Sequence, residues 1–435
     1  MNTYVVSNRQ RSLLLAGIVL GVVCLGWVYM TDDPFHTRFW TNFLHNTVFF
    51  TGIAFMAIFF YAICVTAWAG WSSMFKRVWE AFGMFLAVGI VFMLLVFLGA
   101  KFEWHHLYHW ADPASVADDK ILKGKSGFLN LTWYFISSVV VTGVWFFFYW
   151  KMRSLSLRED TEGDPSFKLH HRQRVWAAAF LPLAGFTLTL VIWQWIMSLD
   201  AHWYSTLFAW YCGASLFVSM IAMTILVLVY LKGKGYYPNV SNEHIHDLGK
   251  FLFGFSIFWT YLWFSQYMLI WYANVGEETV YFQERHRNYP VLFYSNLVIN
   301  FVLPFFILMR NDTKRKFGSV SFVALLVIFG HWIDYFLMIK PGALHTAHAL
   351  GGASHGHDAG HGHGAGHEHG AEAAGHAGEH VSNFVSGFTL PGLLEIGTFI
   401  GFLCLFLFII YTVLSKSRLI PTNDPYISES LNHHV

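Results

Sequence analysis

The sequence predicts an all-α integral membrane protein of about ten transmembrane helices. Three observations predict it. Hydrophobic residues make up 55% of the chain and charged residues only 12%, about half the charge density of a soluble domain. The apolar residues fall in repeated runs close to the 20 residues that span a bilayer. Lys and Arg then gather on alternate connections. The runs are continuous rather than alternating, which argues against transmembrane strands.

The first run, about 12–30, is as apolar as a signal sequence. It lacks an A-x-A cleavage site, and Val22-Val23-Cys24 lacks the small residue a lipobox places before its cysteine, so a retained helix is expected. The second run, 46–71, ends at Lys76 and Arg77, and the third covers 81–100. The fourth, 129–150, is followed by Lys151, Arg153, Arg158, Lys168, Arg172 and Arg174. The fifth and sixth, 175–198 and 205–231, are joined by a short turn and followed by Lys232, Lys234 and Lys250. The seventh is 251–273. The eighth, 290–309, leads into Arg310, Lys314, Arg315 and Lys316, and the ninth is 318–338. The tenth, 392–415, precedes Lys416 and Arg418. With Arg9 and Arg11 at the start, these basic groups share one side, expected to be the cytoplasm. Both termini are therefore expected there. The segment 101–128 on the other side still carries Lys101, Lys120, Lys123 and Lys125. Trp27, Trp71, Trp150, Trp203 and Trp271 sit where interfacial belts belong.

Between the ninth and tenth runs lies a low-complexity segment of His, Gly and Ala, about 342–380. It is too poor in apolar residues to build a core and is expected to be a flexible periplasmic loop. His355, His357, His361, His363, His367 and His369 would bind divalent metals adventitiously. A metal transporter would use such a loop for capture, but it should also carry ligands spaced on several helices at the midplane. No such set is evident. Cys24, Cys64, Cys212 and Cys404 each lie in apolar runs, without CxxC or CxxCH spacing. They read as small buried hydrophobes rather than ligands of haem c, iron–sulfur clusters or zinc.

Ionisable groups in hydrocarbon are costly, so each needs a role. Asp200 and His202 cluster at the outer end of helix five with Gln194, and Gln266 lies toward the outer end of helix seven. His331 and Asp334 are three apart in helix nine, and Glu395 starts helix ten on the same side. His331 and Asp334 share a helix face and are expected to hydrogen-bond. An imidazole beside a carboxylate makes a proton relay or a grip for a quinol hydroxyl, and the plainer alternative is a pair that fixes packing. Asp200 and His202 could instead cap the turn after helix five. Glu80, beside Lys76 and Arg77, reads as a salt-bridging group near the opposite surface. His170, His171, His244 and His246 lie in connections, which argues against an axially ligated di-haem cytochrome. No catalytic residue is assigned.

Two stretches carry a resemblance. One runs from Trp193 to Tyr230 and contains Gln194, Trp195, Ser198, Asp200, His202, Trp203 and Tyr204. The other runs from Phe251 to Glu278 and contains Trp263, Gln266, Trp271, Asn274 and Glu277. Together with the ten-helix layout they resemble the NrfD/PsrC-like membrane subunits of alternative complex III, specifically the ActF type, quinol:cytochrome c oxidoreductase quinone-binding subunit 2. The His-rich insertion falls outside it. The resemblance implies two four-helix bundles, 46–198 and 205–338, each of four helices. Flanking them would be 1–45, with helix one and the first periplasmic connection, and 392–435, with helix ten and a cytoplasmic tail. The loop would occupy 339–391. It implies a bacterial inner-membrane complex that oxidises quinol and passes electrons to a cytochrome c or a terminal oxidase. Haem c and iron–sulfur clusters would sit on partners: an iron–sulfur subunit, multihaem and monohaem cytochrome c subunits and a homologous NrfD-like subunit. This chain would bind no haem. The homologous sister subunit would be the better candidate for the working quinol site, and this chain a scaffold and possible proton route. The polar residues picked out above, Asp200, His202, Gln266, His331, Asp334 and Glu395, are the candidates for that proton path or for menaquinone or quinol contact. No nucleic-acid partner is expected.

Overall fold

A computed structural model describes residues 3–355 (348–355 by backbone path alone), 385 and 387–433. No β-strand occurs among the described residues; Thr3 and Arg418 form an isolated bridge. Nine of the described helices are long and apolar enough to cross a membrane. They are α1 (Asn8–Thr31), α2 (Thr37–Thr66), α3 (Gly70–Lys101), α4 (Leu131–Glu162), α5 (Lys168–Leu199), α6 (Leu207–Gly233), α8 (Pro290–Leu308), α9 (Phe317–His355) and α10 (Leu393–Leu414). The seventh expected span is α7 (Asn242–Ala273). At 32 residues it is long enough, at about 1.5 Å per residue. It is less apolar because Thr260, Tyr261, Ser265, Gln266 and Tyr267 interrupt its second half. The protein is thus an all-α, multi-pass membrane protein.

The helices pack as two four-helix groups, α2–α5 and α6–α9, with α1 and α10 paired alongside. Helices α2, α6 and α9 are the most enclosed, and α2 touches both α6 and α9, so these three join the bundles. Outward faces carry Leu13, Val19, Phe186, Leu269 and Phe306, as a lipid-facing surface requires. The α1–α10 pair has a specific cause. Gly17 and Gly21 on α1, and Gly397 and Gly401 on α10, are each four apart. Gly21 lies against the backbone of Gly401, Gly17 against Cys404 and Gly397 against Cys24. Without side chains there, the backbones approach closely enough for dispersion to hold the pair in lipid.

Two helices carry π-helical segments, Ile136–Val141 in α4 and Val298–Val302 in α8. In α8 the cause is visible: Pro304 offers no N–H to the carbonyl of Asn300, four residues back. In α4 the Thr142 hydroxyl donates to the Ser138 carbonyl at 2.6 Å, and the Trp195 indole donates to the Ser138 hydroxyl at 2.9 Å.

Both ends of the chain meet on one face, here the terminal face. The Val5 N–H donates to the Tyr236 hydroxyl at 3.2 Å, and the Tyr237 hydroxyl donates to the Leu419 carbonyl at 3.3 Å. The tail then crosses the ends of both bundles. Asn423 donates to the Asp160 carbonyl at 3.1 Å, Ser430 to the Trp71 carbonyl at 2.6 Å, and His433 pairs with Asp247 at 2.6 Å.

Several expected boundaries move. Helix α2 begins at Thr37, not 46, because the Asp32 and Asp33 carboxylates accept the N–H groups of Phe39 and Thr37 and open the helix early. The division at 45 therefore falls inside α2. Helix α3 opens at Gly70 in a 3-10 turn rather than at 81. Helix α9 passes through Pro341 and continues to His355, so the loop expected from 339 is helical over its first part. Helix α10 starts at Leu393, as expected from the run at 392.

Candidate functional site

Among the described residues, three clusters of buried polar groups carry charged side chains. The first is a hub on Asp334, itself fully buried. Asp334 stands on α9, and the other three helices of the second bundle supply donors to it. From α6, the Tyr211 hydroxyl donates to Oδ1, and the Ser215 hydroxyl to Oδ2 at 3.0 Å. From α7, the Trp259 indole donates to Oδ2 at 3.0 Å. From α8, the Asn296 amide donates to Oδ1 at 2.7 Å, and Asn300 in the π segment donates to Asn296 at 2.6 Å. Four donors satisfy the carboxylate without a neighbouring cation.

His331 and Asp334 do not bond directly: Nδ1 and Oδ2 are 3.8 Å apart. Ser215 stands between them, 2.9 Å from His331 Nδ1. The single Ser215 hydroxyl proton satisfies Asp334, so Nδ1–H of His331 donates to the Ser215 oxygen. That tautomer leaves Nε2 a bare lone pair, and Nε2 has no partner among the described residues. The ring also meets Trp259 edge to face at 5.2 Å. The arrangement is a base inside the bundle whose cationic form would find a carboxylate 3.8 Å away. A narrow cleft lined by Tyr211, Gln266, Arg285 and Asn296 adjoins the hub, and the Gln266 amide nitrogen has no partner there.

The second cluster lies where α2, α9 and α10 meet, toward the face opposite the termini (the far face). Arg38 grips Glu395 in a two-point bridge, Nε to Oε1 at 2.8 Å and the terminal nitrogen to Oε2 at 3.0 Å. Asn42 donates to Glu395 Oε1 at 3.0 Å, and the Gly392 N–H to Oε2 at 2.9 Å. Lys340, fully buried, donates to Asn42 Oδ1 at 2.6 Å. Its nitrogen also lies 4.6 Å from the Phe388 ring centre. Gly387, with φ +81°, lets the covering turn press against Arg38, where a β-carbon would collide. Deeper in the seam, His45 Nε2–H donates to the Trp332 carbonyl at 3.0 Å, and the Trp332 indole to Asn46 at 3.1 Å.

The third cluster lies at the terminal end of the first bundle. Lys76 meets Asp424 at 2.5 Å and Glu159 at 3.4 Å. Arg77 meets Glu80 at 2.6 Å and also Asp160. Tyr61 donates to Glu80 at 3.1 Å, and His170 faces Glu159 at 3.3 Å. Burial pushes the Asp424 carboxyl up, but the Lys76 ammonium and the Tyr426 N–H outweigh it and hold it below its ordinary range.

The six predicted residues therefore divide. His331 and Asp334 sit in the hub and Gln266 lines the adjoining cleft. Glu395 belongs to the seam cluster instead. His202 is half-exposed on the far face and pairs with Asp119. Asp200 lies beside it; its backbone carbonyl accepts from Trp203 at 3.1 Å. Burial raises Glu284 above the usual carboxylate range, opposed by Arg285 and reinforced by Asp200. Asp200 and His202 thus form a surface group with Lys125 and Asp119, not one cluster with His331 and Asp334. The candidates Asp200, His202, Gln266, His331, Asp334 and Glu395 are all placed toward one side by sequence, whereas the third cluster is buried at the other end. Glu80 makes the expected salt bridge, with Arg77, but is buried, at 1% exposed. No group of three or more His, Cys, Asp or Glu residues able to hold a metal occurs among the described residues. His357, His361, His363, His367 and His369 lie outside them, and His355 is described by backbone alone.

Sequence reasoning missed Tyr211, Ser215, Trp259 and Asn296, which look like ordinary membrane residues until the helices pack. It missed Arg38, Asn42 and Lys340 because each fell just outside an expected helix. A signal existed: Asn42, His45 and Asn46 are spaced three and four apart, one helix face.

Fold and clusters together define a polytopic all-α membrane protein with charged groups buried toward both of its ends. No family model matches the chain, and no curated protein matches it.

Proposed function

We propose that the chain is a haem-free integral subunit of a quinol:electron-acceptor oxidoreductase of the alternative complex III type, with both termini cytoplasmic in a bacterial inner membrane. Its direct part is proton handling or quinol contact at the hub. The single observation carrying this reading is the buried, unpartnered Nε2 of His331, backed through Ser215 by a fully satisfied Asp334. An intramembrane carboxylate–imidazole set is what a proton relay uses. Ser219 and Thr224, both buried on α6 with Ser215, continue hydroxyl groups toward the third cluster, where Trp79 donates to Thr224 at 3.1 Å. The basic residues on the terminal face support the cytoplasmic assignment. Electron transfer then belongs to partner subunits carrying iron–sulfur clusters and haem c.

The test is quinol:acceptor turnover and proton release by the purified complex carrying His331→Ala. Loss of either at normal complex yield supports the reading. Lower yield with unchanged turnover and proton release per complex reduces the chain to an assembly scaffold. A chain that purifies alone and loses metal flux on deletion of 356–384 would instead be a metal transporter.

A further inference from the structure

The seam cluster holds one cation too many. Arg38 remains charged under any physiological condition, and its two-point bridge neutralises Glu395. Glu395 has its remaining needs met by Asn42 and the Gly392 N–H, so it stays ionised. Among the described residues, Lys340 has no carboxylate within salt-bridge distance. Its partners are one amide oxygen and the rings of Phe388 and Phe336, at 4.6 and 5.6 Å. An amine so placed is costly to keep charged. The charged and titratable groups that face it are Glu395 on α10, Arg38 and His45 on α2, and Asp32 in the turn before α2. Asn42 is the hinge: its oxygen accepts from Lys340 and its nitrogen donates to Glu395. Arg38, with 17% of its side chain exposed, is where the cluster reaches the far surface.

We propose that Lys340 is a proton-exchanging group at the bundle seam, the last internal stop before release at the far face. The amine takes one proton from the protein interior, becoming an ammonium held by Asn42. It then gives that proton to water at the Arg38 end and returns to the neutral amine. The excess charge of the cluster thus appears and disappears once per proton. The bridge of Arg38 and Glu395 keeps the ammonium from being held permanently, because Arg38 already occupies Glu395.

This inference rests on the proton-handling reading above. The experiment is proton release per quinol oxidised by the intact complex in sealed vesicles, with turnover measured separately after uncoupling. Lys340→Met and Lys340→Arg are both expected to lose proton release while uncoupled turnover persists. The arginine variant is decisive, since a packing or fixed-charge role is rescued by a guanidinium and a proton-exchanging role is not. Proton release retained by Lys340→Arg overturns the inference. If neither variant assembles, Asn42→Asp decides: a carboxylate beside Lys340 holds the ammonium charged, and release is expected to fall. Full release by that variant also overturns it. A native complex that releases no protons through the membrane sector removes the underlying reading itself, which separates that failure from failure at Lys340.

Discussion

Replacing Asp334 separates two roles that one carboxylate plays. Asp334→Asn preserves shape. With its oxygen in the Oδ1 position it still accepts from Tyr211 and Asn296. Its nitrogen then faces Ser215, whose hydroxyl can rotate to accept, and the Trp259 N–H, which cannot. One donor is left opposed, at a cost of about 1–3 kcal/mol. Asp334→Ala strands all four donors. At ~0.6 kcal/mol per bond, a value typical within membranes, the loss is about 2 kcal/mol. If the donors stay unsatisfied, at ~1 kcal/mol or more each, it is about 4 kcal/mol or greater. Reversible unfolding in mixed micelles should therefore rank the alanine variant as the less stable of the two. The asparagine variant also frees the Ser215 proton for His331 Nδ1, which moves the imidazole N–H to Nε2. The bare lone pair disappears, and so does the charge that would balance an imidazolium. Proton release by the assembled complex should fall in Asp334→Asn despite its milder stability loss. Equal stability losses would refute the hydrogen-bond count. Full proton release and quinol turnover in an intact Asp334→Asn complex would refute the relay and leave Asp334 a packing residue.

Three further outcomes follow from particular contacts. Gly401→Leu sets a side chain against the backbone of Gly21, so α1 should part from α10 and complex yield should fall, whereas leucine at Gly26, which faces open space, should be tolerated. His202→Ala should leave assembly, turnover and proton release unchanged, because a half-exposed pair contributes at most about 1 kcal/mol. The docking of the tail should depend on acid. Asp424 is held below its unfolded value, so its contribution is fully present above the ordinary aspartate range, about pH 3.9, and fades as pH falls below it. Protection of the amides over 421–433, measured against their intrinsic exchange rates at the same pH, should then be high at neutral pH and lost near pH 3, and Lys76→Met should remove it at neutral pH. Unchanged exchange in Lys76→Met would show that the other tail contacts suffice.

What the sequence determined was the class and the path. Runs of apolar residues near the bilayer span dictate membrane helices, because backbone groups in lipid must bond within a helix. The basic residues after α4, α6, α8 and α10 do lie toward the face where the chain ends meet. Gly17 and Gly21, and Gly397 and Gly401, stand four apart in the sequence, but only the structure shows that α1 and α10 pair through them. Helix ends were less legible. Polar residues at Arg38, Asn42 and His45 made α2 look shorter, and Lys340 made α9 seem to stop, because polarity at a helix end cannot be told from polarity in a loop until its partners are known. Only the tertiary structure decided which polar groups meet. It put Ser215 between His331 and Asp334, which sequence spacing had placed in direct contact. It drew Glu395 to Arg38 rather than to Asp334, and left His202 with Asp119 at the surface. The physical reason is that a buried charge is satisfied by donors from several helices at once. Spacing along one helix reports a shared face, whereas satisfaction depends on which other helices that face meets.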